Sequence, residues 1–164
     1  MLYSGKLLGN IREAQGVSQD DLAVGLCSKV HLFHIETGER EAEKLLFESL
    51  YQRLGKYSGR YETLLDNDEY SLLEKRWKIC EFIDERKYEN ARQEIEIYKS
   101  LVKNGIHMQY ICMLECEIMH KTGEQIISCM KKLEEAIAYT REDFQLEKID
   151  IYYLSRMEML IICK

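Results

Sequence analysis

Three residues in the second half of the chain have side chains that bind soft metal ions: Cys112, Cys116 and His120. Each is four residues from the next, so they form a stripe along one helix, and zinc accepts both thiolate and imidazole ligands. Structural zinc sites usually take their ligands from two separate segments, however, and three residues on one straight helix cannot close a tetrahedron. We therefore interpret the cysteines as core residues and the histidine as a boundary residue, and expect no metal or other cofactor.

A second group with possible metal or redox chemistry is Cys27, His31 and His34. A thiol redox sensor needs a cysteine whose pKa is lowered by positive charge or by a helix N-terminus, and Cys27 is the candidate by position. The alternative is a buried thiol. A chain of this length can bury a core without disulfides, and we expect a reducing compartment, so we interpret all six cysteines as buried thiols.

Motifs for catalysis and for membrane insertion are missing from the sequence. There is no Gly-rich phosphate loop, no Gly-x-Ser-x-Gly elbow and no His-Glu-x-x-His helix, so we expect no enzyme. The longest apolar runs, such as 159–163, have five residues, whereas about 20 are needed to cross a bilayer. The first residues do not resemble a secretory signal, and we expect a cytoplasmic protein with no membrane partner.

The composition predicts an all-α fold. Of the 164 residues, 46% are hydrophobic and 32% charged, and none is proline, so nothing interrupts long helices. The formal net charge is −6. Residues 1–58 hold seven basic and eight acidic side chains, and residues 59–164 hold sixteen basic and twenty-one acidic side chains, so neither part of the chain is a basic block. Nucleic-acid binding would therefore depend on a local group of side chains.

The first 55 residues predict four short helices. Ser18 and Ser28 are in position to cap the second and third helices, Gly16 and Gly38 to end the first and third, and the fourth spans 41–54. The apolar positions that we expect to face a common core are Leu7, Leu8, Ile11, Leu22, Ala23, Leu26, Leu32, Ile35, Leu45, Leu46, Leu50 and Leu54.

A polar segment over 59–68 predicts a linker between residues 1–58 and a second helical domain over 69–164. Helices are predicted in this second domain at 69–85, 88–103, 107–121, 125–139 and 145–163. The stretch 87–91, with its small residue Ala91, is similar to part of one tetratricopeptide unit, and a looser second unit covers about 109–139.

The segment Gly16-Val17-Ser18-Gln19-Asp20-Asp21-Leu22-Ala23, with Leu26-Cys27-Ser28 and Ile35-Glu36-Thr37-Gly38 after it, resembles the lambda-repressor-like (XRE-type) helix-turn-helix family. The resemblance covers about residues 5–55. The two-part architecture, with Gln52-Arg53-Leu54-Gly55-Lys56 after the motif, resembles bacterial peptide-pheromone receptors of the RRNPP group, in which this domain precedes tetratricopeptide helices.

This resemblance implies that the third helix lies in the DNA major groove and that the start of the second lies against the backbone. Carried over by position, Glu36 would hold the turn inside the domain. Gln19 would bond a phosphate or a nearby base, and Arg12 and Arg40 would contact phosphates. The residues implied on or beside the exposed face of the third helix are Ser28, Lys29, Val30, His31, Phe33 and His34.

Three of these positions depart from the family pattern. Val30 and Phe33 stand where relatives commonly carry Ser or Thr, and His34 stands where they commonly carry Arg or Lys. Val and Phe can still touch a thymine methyl, but neither they nor the histidine replaces a bidentate arginine on guanine. The alternative is that Val30 and Phe33 form an apolar patch that contacts protein.

We expect a sequence-specific transcriptional regulator that binds double-stranded DNA as a homodimer, with C-terminal helices for dimerisation or for a peptide or protein partner. The alternative is a protein-interaction adaptor with a degenerate helix-turn-helix domain that does not bind DNA.

Overall fold

The computed structural model describes residues 2–56, 67–103 and 105–163, and every regular element within those ranges is a helix. The all-α prediction is confirmed. The elements, in chain order, are α1 (Leu2–Ala14), α2 (Gln19–Ala23), α3 (Lys29–Thr37), α4 (Lys44–Arg53), α5 (Asn67–Asp84), α6 (Tyr88–Leu101), α7 (Gly105–Lys121), α8 (Ile126–Ala138), a 3₁₀ helix (Leu146–Ile151) and α9 (Arg156–Ile162).

These elements form two compact units. The N-terminal unit contains α1 to α4 and the segment that begins at Thr140; the hairpin unit contains α5 to α8 and ends at Tyr139. This division differs from the prediction of one continuous second domain over 69–164, because residues 140–163 pack with the N-terminal unit. Of the predicted linker, residues 59–66 lie outside the described residues, and residues 67 and 68 begin α5.

The N-terminal unit is built by two serine caps and a shared core. Ser18 Oγ accepts a hydrogen bond from Asp21 N at 3.0 Å, and Ser28 Oγ accepts one from His31 N at 3.1 Å. Both caps lie where the sequence predicts them. The predicted core positions are buried except Leu7, which is exposed, and Ile11, which is half-buried.

The hairpin unit consists of two pairs of helices, α5 with α6 and α7 with α8, each joined by a short turn. The sequence predicts all four of these helices to within two residues at each end. Ala91 is fully buried, and its small side chain allows α5 and α6 to approach closely. Ala91 belongs to a buried cluster whose other members are Ile79, Ile83, Ile95, Tyr98, Val102, Ile111, Leu114 and Ile118.

The last predicted helix, 145–163, is wrong as a single element. The chain forms the 3₁₀ helix, becomes extended at Tyr152 (φ −93°, ψ 134°), and starts α9 after Ser155. Ser155 Oγ accepts a hydrogen bond from Glu158 N at 3.2 Å, and Ser155 N donates to Glu158 Oε2 at 2.6 Å. This reciprocal cap offers the backbone a new helix start in place of a continued helix.

Candidate nucleic-acid interface

Helix α3 turns one side toward the core and the other outward. Leu32 and Ile35 are buried, and α1 packs on this side of the helix. Val30 and Phe33, on the other side, are 64% and 47% exposed. Ser28 and Lys29 are also exposed at the start of the helix. The structure therefore gathers these predicted residues on one surface, which we call the outward face of α3 (28–31, 33 and 34).

The polar groups of this face have acidic neighbours. Lys29 Nζ forms an ion pair with Asp20 Oδ2 at 2.5 Å, and His34 Nδ1 lies 2.6 Å from Glu39 Oε2. The His34 ring also meets the Phe33 ring edge to face, with 5.7 Å between centroids. The ammonium group of Lys29 and the imidazole of His34, at the two ends of the outward face, are thus each already close to a carboxylate.

His31 lies between these two ends and is half-buried. Burial lowers its pKa below the ordinary value of 6.5, and the charges of Arg40 and His34 lower it further. At neutral pH the ring is therefore neutral and can donate one hydrogen bond and accept another. Arg40 is exposed, as a phosphate contact requires.

Arg12 does not lie on this surface, which corrects the prediction that it contacts a phosphate. It is only 8% exposed. Its guanidinium donates two hydrogen bonds to Glu36, from Nε to Oε1 at 2.6 Å and from Nη2 to Oε2 at 2.9 Å. A third hydrogen bond runs from Nη1 to Val17 O at 2.9 Å. The hydrogen bond to Glu36 raises the pKa of Arg12. This arginine ties α1 to α3 and to the start of α2.

Gln19, at the start of α2, is neither exposed like Lys29 nor buried like Arg12. It is half-buried, and its Nε2 donates to Glu36 Oε2 at 2.7 Å. Glu36 therefore accepts hydrogen bonds from Arg12 and from Gln19 and serves inside the unit, as the resemblance implies. The bond from Gln19 fixes the first turn of α2 relative to α3.

A second buried ion pair, which the sequence did not reveal, fixes the turn between α2 and α3. Arg53 Nη2 donates to Glu158 Oε1 at 2.5 Å, and both side chains are fully buried. Arg53 Nη1 also donates to the carbonyls of Leu22 (2.9 Å) and Val24 (2.5 Å), at the end of α2. Glu158 accepts a further bond from Thr140 Oγ1 at 2.8 Å. The one local signal was Ser155-x-x-Glu158, a capping-box pattern.

The backbone also comes close to itself at this turn. Gly25 has φ +68°, and a Cβ built there would lie 1.8 Å from Thr140 O. Only a glycine leaves room for Thr140 at this distance. The segment after Thr140 is therefore part of the framework that positions α3.

The cysteine groups show no arrangement for metal or redox chemistry in the described ranges. Burial raises the pKa of Cys27 to about 11, opposite to the change that a reactive thiol needs. Cys112 and Cys116 are buried, and burial raises the pKa of Cys112 to about 12, while His120 is exposed. The part of the chain that the structure describes contains no group of three or more residues that could hold a metal ion.

Comparisons with family models, with curated proteins and with solved structures find no match to this chain. The resemblance to helix-turn-helix regulators stays a prediction that rests on the residues quoted above. Among the helices of the described ranges, none has both the length and the apolar character that a membrane span requires.

Proposed function

We propose that the N-terminal unit is a helix-turn-helix domain that binds double-stranded DNA through the outward face of α3, and that two copies act together as a transcriptional regulator. The observation that carries this proposal is the exposure of Val30 and Phe33 on a helix whose opposite side, at Leu32 and Ile35, is anchored in the core. Helix α3 has nine residues and is about 13 Å long. An α-helix with its side chains is about 10–12 Å in diameter and therefore fits the major groove, which is about 12 Å wide.

The internal bonds of the unit support the same proposal. A recognition helix must be held rigidly while its outer side stays open. The Arg12–Glu36 pair holds α3 against α1, and the Arg53–Glu158 pair holds the turn that precedes α3. Neither pair uses a residue of the outward face.

For the hairpin unit we propose a tetratricopeptide-like role in pairing protomers or in binding a peptide or protein. Its support is the two helical hairpins and the buried Ala91 at the position where the repeat pattern has a small residue. In a homodimer, two α3 helices would occupy major grooves about one turn of DNA apart, about 34 Å. Sedimentation of the full chain with and without duplex tests the dimer.

The DNA proposal is tested by fluorescence anisotropy of the full chain titrated into a pool of random duplexes. Binding should weaken steeply with salt. Lys29→Ala should weaken it and reduce the salt slope by about one, whereas Asp20→Asn should tighten it, because the change removes a negative charge and releases Lys29. Lys131→Ala is the matched control, since it removes an exposed positive charge from α8.

A second function is favoured by the electrostatics of the same surface. Arg12 is used internally, and the exposed acids Asp20, Asp21 and Glu39 lie on α2 and beyond the end of α3. These features suit a protein partner better than a polyanion, and would make the chain an adaptor that uses Val30 and Phe33. If no duplex binds at low salt, and Asp20→Asn does not create binding, the DNA proposal is wrong and the adaptor takes its place.

A further inference from the structure

We infer that α3 identifies its DNA site by contacting thymine methyl groups with Val30 and Phe33, so that the preferred site carries A·T pairs at the two steps that face these side chains. This inference rests on the proposed function and specifies which bases the same surface prefers.

The first step of the argument is the placement of the two apolar side chains. Val30 is 64% exposed and Phe33 is 47% exposed. Residues three apart on a helix lie on the same face, with about 5–6 Å between their Cβ atoms. The two side chains therefore form one small apolar surface at the centre of the outward face of α3.

The second step is the state of three hydrogen-bond donors around that surface. Lys29 is paired with Asp20, His34 with Glu39, and Gln19 with Glu36. To reach a base edge, each of these donors must first leave a carboxylate. Val30 and Phe33 need no such rearrangement.

The third step is the chemistry of the major groove. Thymine is the one standard base that presents a methyl group there, whereas guanine presents two acceptors and cytosine presents an amino donor. An apolar side chain against a G·C pair leaves those polar groups without water or protein partners, which is unfavourable. Contact with a methyl group buries apolar surface instead.

The experiment uses the full chain and a duplex selected from the random pool by repeated rounds of binding. Each thymine is then replaced in turn by deoxyuridine, which removes only the methyl group. At the positions that face Val30 and Phe33, affinity should fall about fourfold for each methyl, which is ~0.8 kcal/mol per buried carbon converted at ~1.4 kcal/mol per tenfold change.

Two variants assign the effect to the residues. Val30→Ala and Phe33→Ala should each remove the penalty for deoxyuridine at one position and leave it at the other. Ile127→Ala is the matched control, because Ile127 is an equally exposed apolar residue on α8. All three changes are on exposed side chains, and circular dichroism verifies that each variant folds.

The outcomes separate the two proposals. If no duplex is selected, the proposed DNA-binding function fails. If a duplex is selected but deoxyuridine changes affinity less than twofold at every position, the function stands and the methyl contacts are wrong. A deoxyuridine penalty that persists in both alanine variants also overturns the inference, since another group would then contact the methyl.

Discussion

The two units differ in the ion pairs that they contain. The N-terminal unit has surface pairs such as Lys29 with Asp20, but it also contains two buried arginine pairs that join residues far apart in the chain: Arg12 with Glu36, and Arg53 with Glu158 across 105 positions. The described ion pairs of the hairpin unit are partly exposed and join residues of one helix or of neighbouring helices, as in the pair of Lys78 with Glu94, which are 16 positions apart.

This difference indicates which contacts specify the structure of each unit. The hairpin unit is specified by contacts between helices that follow one another, and its ion pairs remain partly in water, where they contribute little. In the N-terminal unit, buried pairs of carboxylate and guanidinium groups join distant parts of the chain. Such groups destabilise a protein strongly when one partner is missing.

The largest effect should come from Arg53→Met. The change leaves the Glu158 carboxylate buried without its partner and frees two backbone carbonyls, so the N-terminal unit should lose about 3–5 kcal/mol of unfolding free energy. Hydrogen exchange of the α2–α4 amides measures the loss. Fluorescence of Trp77, the one tryptophan in the sequence, reports on the hairpin unit as an internal reference.

The double variant Arg53→Met with Glu158→Leu is the control for this prediction. It removes both charges together and should recover part of the lost stability. If Arg53→Met lowers the unfolding free energy by less than about 1 kcal/mol, the buried pair contributes no more than a surface pair. The proposed difference between the ion pairs of the two units would then be wrong.

The next largest effect should come from the turn before α3. Gly25→Ala places a Cβ 1.8 Å from Thr140 O and keeps φ at +68°, whereas Gly16→Ala keeps φ at +70° with nothing within 4 Å. Both variants should lose about 1–2 kcal/mol through the left-handed backbone. Gly25→Ala should lose about 1–3 kcal/mol more, because the backbone of Thr140 must move.

Denaturant unfolding of the two glycine variants provides the comparison. Equal losses of unfolding free energy would mean that the backbone of Thr140 does not restrict the residue at position 25. The segment after Thr140 would then not be needed to position the turn before α3.

A smaller effect should appear in the acid range. Burial raises the pKa of Glu158, but the hydrogen bond and the positive charge of Arg53, together with the hydrogen bonds from Ser155 N and Thr140 Oγ1, outweigh burial, and the net pKa lies below the ordinary value of 4.5. The unfolded chain therefore binds the proton more readily, so this contribution is complete above pH 4.5 and is lost as pH falls through the lowered pKa. Glu158→Gln should make the unfolding free energy depend less on pH below pH 4.5. Parallel curves of unfolding free energy against pH for the variant and the original chain would contradict this prediction.

The smallest effect should come from the hairpin unit. Lys78→Met removes a surface pair whose lysine is half exposed, and should change the unfolding free energy by about 0–1 kcal/mol, with the difference shrinking as salt is added. Thermal unfolding followed by Trp77 fluorescence measures it. A loss as large as that of Arg53→Met would mean that the units do not differ in kind.

Local signals in the sequence predicted most of the helices. Serine caps at Ser18 and Ser28 and the periodic apolar positions placed α2 and α3 correctly, because both depend on neighbours within one helical turn. On the candidate surface, Val30 and Phe33 are exposed as expected. These features need no knowledge of the distant chain.

The features that sequence analysis missed depend on distant partners. No residue near Arg12 in the sequence indicates that its guanidinium forms an ion pair with Glu36. Likewise, no residue near Arg53 indicates a carboxylate partner 105 positions later. Periodicity alone also extended the last helix through Ser155, since apolar residues continue on both sides of it. The capping box of Ser155 and Glu158 is the local signal that would have ended that prediction.

The 105 positions between Arg53 and Glu158 also have a consequence during synthesis on the ribosome. At about 5–20 residues per second, the carboxylate is made about 5–20 s after the guanidinium that it neutralises. The complete hairpin unit is translated within that interval, and its contacts between consecutive helices can form at once. The N-terminal unit, although translated first, therefore cannot complete the Arg53–Glu158 pair until the whole hairpin unit has been synthesised.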